Sequence, residues 1–201
     1  MTAATDVAWE LDYDAAWFIA LPGASEVARD AMVLDGWMQG CLERFAAQPG
    51  VGADELATLR ATADALASQI RPDQTQLWFA PRGLYSDLLV SISVAPVGAV
   101  GATTDDLFEG ASYATAVDAT PLRTDTHGGG YLFRRSEVVP AESPVLVEQW
   151  TVRLNDGTWS ILIDTLGTTL PAFVLFEEQL LRLISGILLP GPATQGAHGA
   201  D

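Results

Sequence analysis

The segment 145–166 constrains the fold of this chain more than any other, because two runs of alternating apolar residues flank the dipeptide Asp156-Gly157. Asp-Gly is typical of a two-residue hairpin loop of type I′, which needs a positive φ at both central residues. A hairpin with this loop, or with a four-residue loop of the same centre, pairs Leu154 with Trp159, Val152 with Ile161 and Trp150 with Ile163 on one face. We expect this register to be strongly preferred, since a slip by one residue would move these apolar side chains to the solvent-exposed face.

Other segments rich in aromatic and β-branched residues predict further strands. They cover residues 17–21, 77–79, 88–94, 113–117 and 131–139. The first of them is apolar on both faces, which favours a central position in the sheet. Residues 25–46 and 54–70 have the apolar spacing of helices, with Ser25 and Asp54 as N-caps, and the short Pro-Gly connection between them predicts an αα-hairpin.

The last helix is predicted over residues 170–188, with Pro171 in its first turn. Its apolar stripe is wide and consists of Phe173, Phe176, Leu180, Leu183, Ile184 and Ile187, extended sideways by Leu175, Leu181 and Leu188. The remaining polar face is thin and consists of Glu177, Glu178, Gln179, Arg182 and Ser185. A helix this apolar is expected to be covered on more than one side, either by the αα-hairpin or by a second subunit.

These elements predict an α+β fold: a mainly antiparallel sheet with an N-terminal helical hairpin and a long C-terminal helix packed on it. The helices cluster around a block of strands instead of alternating with them, which disfavours a β-α-β architecture. Residues 1–190 are predicted to form a single domain and residues 191–201 a flexible tail. Because 49% of the residues are hydrophobic, the chain can bury a sizeable core.

The chain is strongly acidic, with 26 acidic and 10 basic residues and a net charge of −16. This charge repels nucleic-acid phosphates and anionic lipids, so we expect no nucleic-acid and no membrane partner. A basic protein partner or a cationic ligand is compatible with it, and so is a role in solubility alone. All ten basic residues are arginine, which excludes a Schiff-base lysine and, with the high alanine content, is typical of a GC-rich bacterial genome. We find no signal-peptide pattern and no apolar run of about 18 residues, so a soluble cytoplasmic protein is expected.

One stretch, His127-Gly128-Gly129-Gly130, resembles a catalytic motif. It is similar to the histidine-triglycine segment that supplies oxyanion-hole amides in lipase- and esterase-type α/β-hydrolases. Those enzymes also need a Gly-x-Ser-x-Gly turn after it, but here the loose look-alike around Ser112 comes before the triglycine, and His198 is the only later histidine. We therefore interpret the segment as a loop whose glycines accept unusual φ values, and predict that His127 is not catalytic.

Several carboxylates are candidates for cation or acid–base sites. Asp125 is near enough in sequence to polarise His127, and acidic pairs occur at Asp12/Asp14, Asp105/Asp106 and Glu177/Glu178. None of the pairs has the spacing of an EF-hand loop, and each is better explained as a solvated or capping group.

The remaining candidates are basic, aromatic or sulfur-containing side chains. Arg134 and Arg135 could hold an anion, but adjacent residues of a strand point to opposite faces. Six tryptophans could line a pocket, but four of them fit core faces and packing is the favoured interpretation: Trp9, Trp17, Trp37, Trp78, Trp150 and Trp159. Cys41 is the only cysteine and is predicted to be buried, which excludes an internal disulfide and a cysteine-based zinc site. The sequence thus predicts no catalytic, cofactor-binding or metal-binding residue.

The arrangement of the elements, in which the last hairpin runs into a long apolar C-terminal helix, resembles the Mog1/PsbP-like fold. The opening aromatic strand followed by proline, Trp17-Phe18-Ile19-Ala20-Leu21-Pro22, is similar to that of uncharacterised actinobacterial proteins associated with type VII secretion loci. The resemblance implies a binding or adaptor role and assigns no catalytic residues.

The predicted function is non-enzymatic: contact with another protein, as an adaptor or as a homodimer formed through the last helix. A symmetric dimer is the simplest outcome, because contiguous apolar patches left in water are uncommon on monomers. The alternative is a small-molecule-binding protein or an enzyme with a pocket between sheet and helices. A closed cavity containing His127, Asp125 or an arginine would favour that alternative, and an apolar patch on the last helix would favour protein contact.

Overall fold

The fold is seen in a computed structural model that describes residues 9–82, 84–97, 118–140 and 143–190. The elements are β1 (Glu10–Leu11), β2 (Phe18–Ala20), α1 (Ala24–Arg29), α2 (Met32–Ala46), α3 (Ala53–Ala67), β3 (Thr75–Phe79), β4 (Leu89–Pro96), β5 (Asp118–Arg123), β6 (Gly129–Val139), β7 (Val145–Asn155), β8 (Trp159–Gly167), α4 (Leu170–Ser185) and β9 (Ile187–Leu188). The strand predicted at 113–117 and the tail predicted at 191–201 lie outside the described residues.

Seven of the described strands form one antiparallel sheet in the order β2-β3-β4-β8-β7-β6-β5. The short strands β1 and β9 form a separate antiparallel pair. These observations confirm the predicted α+β class, with its antiparallel sheet and C-terminal helix. The predicted N-terminal helical hairpin is a looser match, because α2 and α3 pack against each other but the short α1 precedes them.

The sheet carries helices on both faces. On one face, α4 packs over a core that includes Leu77, Phe79, Val90, Ile92, Trp150, Val152, Leu154, Ile161 and Ile163. On the other face, α2 and α3 cover the β2-β3-β4 end through a second core that includes Met38, Cys41, Phe45, Leu59, Leu66, Trp78 and Leu89. The two packed helices α2 and α3 therefore lie on the opposite side of the sheet from α4 and do not supply the additional cover considered for that helix.

The predicted hairpin forms between β7 and β8, but its register differs by two residues from the expected one. Leu154 pairs with Ile161, Val152 with Ile163 and Trp150 with Thr165. Because the difference is an even number of residues, every side chain keeps its predicted face. Five of the six apolar residues are buried as predicted, whereas Trp159, next to the loop, is only half-buried.

The loop of this hairpin explains the shifted register. Asn155 and Ser160 are the last pair of the ladder, which leaves four residues between them. Within the loop only Gly157 has a positive φ, of 90°, so the predicted type I′ turn is wrong. The Asp156 carboxylate instead accepts hydrogen bonds from the N–H groups of Thr158 (2.8 Å) and Trp159 (2.7 Å). Side-chain bonding of this kind stabilises a longer turn that the Asp-Gly preference does not reveal.

Strand β2 lies at the edge of the sheet, and the central position predicted for it is wrong. Both of its faces are nonetheless covered, because Phe18 belongs to the α4 core and Ile19 packs against the α2–α3 core. Side chains of α2 satisfy its outward-facing carbonyl groups: Trp37 Nε1–H donates to Ala20 O (2.7 Å), and Arg44 donates to Phe18 O (3.4 Å). An apolar pattern on both faces therefore reports burial of the strand but not its place in the sheet.

The first predicted helix, 25–46, is interrupted at Asp30. The extended backbone of Asp30 ends α1, and its carboxylate accepts a hydrogen bond from Met32 N–H (2.9 Å) at the start of α2. The N-caps of α1 and α3 are Gly23 and Gly52, not the predicted Ser25 and Asp54. In both cases a glutamate three residues further on accepts a hydrogen bond from the glycine N–H, which stabilises the earlier start.

Helix α4 begins as predicted but ends at Ser185, three residues earlier than predicted. Asp12 N–H donates to Gly186 O (2.8 Å), and a Cβ atom at position 186 would lie only 1.9 Å from Asp12 O. The chain segment at Asp12 therefore occupies the place where a side chain would project. Residues 187–188 leave the helix and pair with β1.

Candidate functional site

Helix α4 has a mostly apolar buried side and an exposed side that carries large apolar side chains among polar ones. The buried side consists of Ala172, Phe173, Phe176, Gln179, Leu180, Leu183 and Ile184. On the other side, Leu170, Val174 and Leu181 are 42%, 69% and 53% exposed. Their spacing of four and seven residues places them along one line of the helix. We call these three residues the exposed strip, and they form the candidate contact surface.

The start of α4 is fixed by Asp87, a residue far away in the sequence. Its carboxylate accepts hydrogen bonds from Thr168 N–H (2.9 Å), Thr168 Oγ1–H (2.6 Å) and Thr169 N–H (3.0 Å). Burial raises the pKa of Asp87, but the hydrogen bonds from the two threonines outweigh burial and hold this pKa below its ordinary value. A carboxylate at this position also interacts favourably with the helix dipole. The cap thus holds the first turn of α4, and with it the start of the exposed strip, in a defined position.

Arg134 of β6 lies beside the exposed strip. Its guanidinium forms an ion pair with Glu177, lies 3.7 Å from an Asp118 carboxylate oxygen and covers the ring of Trp150, with 4.7 Å between Cζ and the ring centre. Glu178, the next residue of α4, has no ion pair within the described part of the chain. The middle of the exposed side therefore contains one paired and one unpaired carboxylate.

A groove of about 560 Å³ lies between residues 12–14 and the second half of α4. Its lining includes the charged side chains Asp12, Asp14 and Arg182, the amide of Gln179 and the apolar side chains Phe18, Leu181 and Leu183. The groove is open to solvent and lies at the end of the helix, so it is not the closed pocket between sheet and helices that would favour an enzyme. The acidic pair Asp12/Asp14 is brought to this groove.

His127 is buried in the turn between β5 and β6, with only 4% of its surface exposed. Neither ring nitrogen has a hydrogen-bond partner, so Asp125 does not orient or polarise the ring. The backbone N–H of His127 donates to Thr124 Oγ1 (2.9 Å). A general base needs an accessible nitrogen within hydrogen-bond reach of a substrate proton, and this buried ring offers none.

The glycines after His127 are explained by backbone packing. Gly128 has a φ of +71°, and a Cβ atom there would lie 2.9 Å from Asn155 O. A Cβ atom at Gly130 would lie 1.8 Å from Arg153 O, so a side chain would collide with β7. Close approach to the backbone of the neighbouring hairpin therefore accounts for two of the three glycines.

The two edges of the sheet are closed to strand addition in different ways. Side chains of α2 occupy the carbonyl groups of the β2 edge, as described above. On the other edge, Thr124 N–H donates to Gly128 O (2.9 Å), and hydrogen-bonded pairs alternate along the ladder, so Pro121 faces outward. Proline has no N–H to donate, which is a common protection of edge strands.

The other side chains singled out in the sequence have structural roles. Arg134 and Arg135 point to opposite faces as predicted, since Arg135 bonds to Gln149 while Arg134 lies on the α4 side. Cys41 is buried, and desolvation raises the pKa of its thiol to about 11 despite the opposing charge of Arg44. Such a thiol is inert at neutral pH. Among the described residues, no group of three or more histidine, cysteine or acidic side chains is placed to hold a metal ion.

The tryptophans serve packing. Trp78 and Trp150 are buried, and Trp9, Trp17 and Trp37 pack partly buried against the two cores. No helix in the described ranges combines the length and the apolar composition that crossing a membrane requires. Comparisons with protein-family models, curated proteins and solved structures give no match for this chain.

Sequence reasoning missed two residues of these surfaces. Gln179 was assigned to the polar face of α4, but it is only 3% exposed and lies on the buried side. Its position one turn from both Phe176 and Leu183 is a signal that could have shown this. Asp87 contacts residues about eighty positions later, and no local pattern marks such a contact.

Proposed function

We propose that this chain is a non-enzymatic interaction or adaptor protein that binds another protein through the exposed strip of α4. The observation that carries the proposal is the exposure of Val174 and Leu181 on a helix whose opposite side already fills the core. Large apolar side chains aligned on one helix face are typical of a contact surface. The proposal takes the protein to be soluble and cytoplasmic, and the net charge of −16 supports the solubility.

A second copy of the chain is the proposed partner. In an antiparallel pair of α4 helices related by a two-fold axis, residues at equal distances from the axis meet. If the axis passes between Glu177 and Glu178, Val174 meets Leu181 of the other copy, and this contact occurs twice. The strip is therefore self-complementary, as a two-fold interface requires.

The same arrangement brings acidic side chains together. Glu177 of each copy approaches Glu178 of the other, and each Glu177 retains its pairing with Arg134 of its own chain. The two Glu178 carboxylates have no such pairing, and each chain carries a net charge of −16. Salt screens repulsion between exposed charges, so association is expected to tighten as the salt concentration rises from about 50 to 500 mM.

The experiment is light scattering coupled to size exclusion at about 50 micromolar protein, which resolves a micromolar dimer. The unmodified protein is expected to be a dimer. Leu181→Glu and Val174→Glu introduce a charge into the apolar contact and are expected to give folded monomers. Glu178→Gln removes repulsion and is expected to strengthen the dimer.

Asp64→Asn is the matched control for Glu178→Gln, because it also removes one negative charge, at an exposed position of α3 on the opposite side of the sheet. Its mass should equal that of the unmodified protein. If all of these proteins are monomers, or if both glutamate variants remain dimers, the exposed strip is not the contact between copies.

A further inference from the structure

The groove beside α4 contains opposite charges that form no ion pair with the described residues. Asp12 and Asp14 lie on one wall, and Arg182 lies on the other. None of them takes part in an ion pair with another described residue. One Asp14 oxygen accepts a hydrogen bond from Ala16 N–H (2.8 Å), and the Asp12 carboxylate accepts none from the described residues.

The second observation is the amide of Gln179, which lines the groove although the residue is only 3% exposed. Its Oε1 atom has one long contact, 3.5 Å from Arg182 Nη1, and its amide nitrogen donates to no described residue. Because the residue lines the groove, an acceptor bound there can satisfy this amide donor. The guanidinium of Arg182 and the amide of Gln179 are adjacent and both line the groove, so both can donate N–H groups to one ligand there.

The groove is preformed and has an apolar lining between its charged walls. The Asp12–Gly186 hydrogen bond and the β1–β9 pair hold the wall of residues 12–14 against the end of α4. Tyr13 packs edge-on against Phe18, with 6.5 Å between ring centres. Phe18 and Leu183 form apolar parts of the lining. A volume of about 560 Å³ falls within the range of small-molecule sites.

We propose that this groove binds a zwitterion with an apolar side chain, either a free amino acid or a short peptide. The carboxylate of the ligand accepts hydrogen bonds from Arg182 and Gln179. A carboxylate is planar, and the geometry of a guanidinium group suits it. Its ammonium group lies against Asp12 and Asp14, and its side chain covers Phe18 and Leu183. This inference does not rest on the protein contact proposed above, since the charged groups that it uses are not in the exposed strip, although Leu181 borders both surfaces.

The test is isothermal titration calorimetry with four probes: L-leucine, leucyl-leucine, N-acetyl-L-leucine and L-leucinamide. Saturable binding is expected for L-leucine or leucyl-leucine below about 10 mM, and the better of the two shows which spacing of charges fits. The acetylated probe lacks the ammonium group and the amide probe lacks the carboxylate. Each should bind at least about tenfold more weakly than the better zwitterion.

Arg182→Gln and Asp12→Asn change exposed side chains and are expected to weaken binding of the better zwitterion about tenfold without lowering Tm. Glu178→Gln, on the same helix but outside the groove, is the control and should bind normally. The proposal is overturned if neither zwitterion binds, if the blocked probes bind equally well, or if both groove variants bind like the unmodified protein. A monomer that binds leucine would refute the dimer and leave this proposal intact.

Discussion

The two sides of α4 differ in what covers them, although both carry large apolar side chains. Phe173, Phe176 and Leu183 pack on the sheet and contribute to the larger core. Val174 and Leu181 face solvent, because α2 and α3 lie on the other face of the sheet. The contrast teaches that a wide apolar stripe on a helix does not measure how much of the helix its own domain buries. The apolar residues of α4 that the domain does not bury are the ones available to contact another molecule.

The largest effect is expected where the sheet meets the buried side of α4. Trp150→Ala removes a ring that packs against Phe173 and Phe176, at centre distances of 5.3 and 6.2 Å. The free energy of unfolding should fall by about 3–5 kcal/mol, as for other large-to-small core substitutions. Trp159→Ala, at a half-buried position of the same hairpin, is the control and should cost clearly less in urea denaturation. Equal costs would mean that the shifted register is wrong.

A smaller loss of stability is expected at the start of α4. Asp87→Ala removes the carboxylate that caps the helix and should cost about 2 kcal/mol. Because the folded pKa of Asp87 lies below its unfolded value, its stabilisation is present above the unfolded value and is lost as the pH falls through the folded pKa. The cost of Asp87→Ala should therefore shrink as the pH is lowered below about 4. A cost that stays constant down to pH 2 would contradict the cap.

His127 combines features of both sides of the comparison: it is buried, like the core side of α4, but its two ring nitrogens have no hydrogen-bond partner. His127→Leu replaces an unpartnered polar group with an apolar one, so the free energy of unfolding should change by less than about 1 kcal/mol. His127→Ala should likewise leave the fold intact and any activity within a small factor. A hundredfold loss of an activity found later would show that the ring acts in acid–base or oxyanion chemistry.

The smallest effect on stability is expected on the exposed strip. Val174→Ser changes a side chain that is 69% exposed, and the free energy of unfolding measured at submicromolar concentration should be unchanged within about 0.5 kcal/mol. Phe173→Ser, the neighbouring residue on the buried side, should unfold or strongly destabilise the protein. If the two substitutions cost the same, α4 is not packed in the orientation described here.

The sequence predicted the fold class, the faces of the hairpin and the width of the apolar stripe, because these depend on local periodicity. It did not predict the hairpin register, which depends on the hydrogen bonds of Asp156 in the loop. It also placed β2 in the centre of the sheet. The hydrogen bonds from Trp37 and Arg44 that cover the outer edge of β2 come from a distant part of the sequence, so the local pattern does not show them. The groove forms where residues 12–14 pack against residues 179–186, which requires a glycine at 186. No pattern along the chain indicates that these two distant segments meet.

Sedimentation velocity of the unmodified protein tests the central claim most directly. Between about 1 and 100 micromolar, the proposal predicts a sedimentation coefficient that rises from the monomer value to the dimer value, and a lower midpoint at higher salt. Leu181→Glu should remain at the monomer value throughout this range. A clean monomer of the unmodified protein at every concentration and salt would contradict the claim that the exposed strip of α4 joins two copies of this chain.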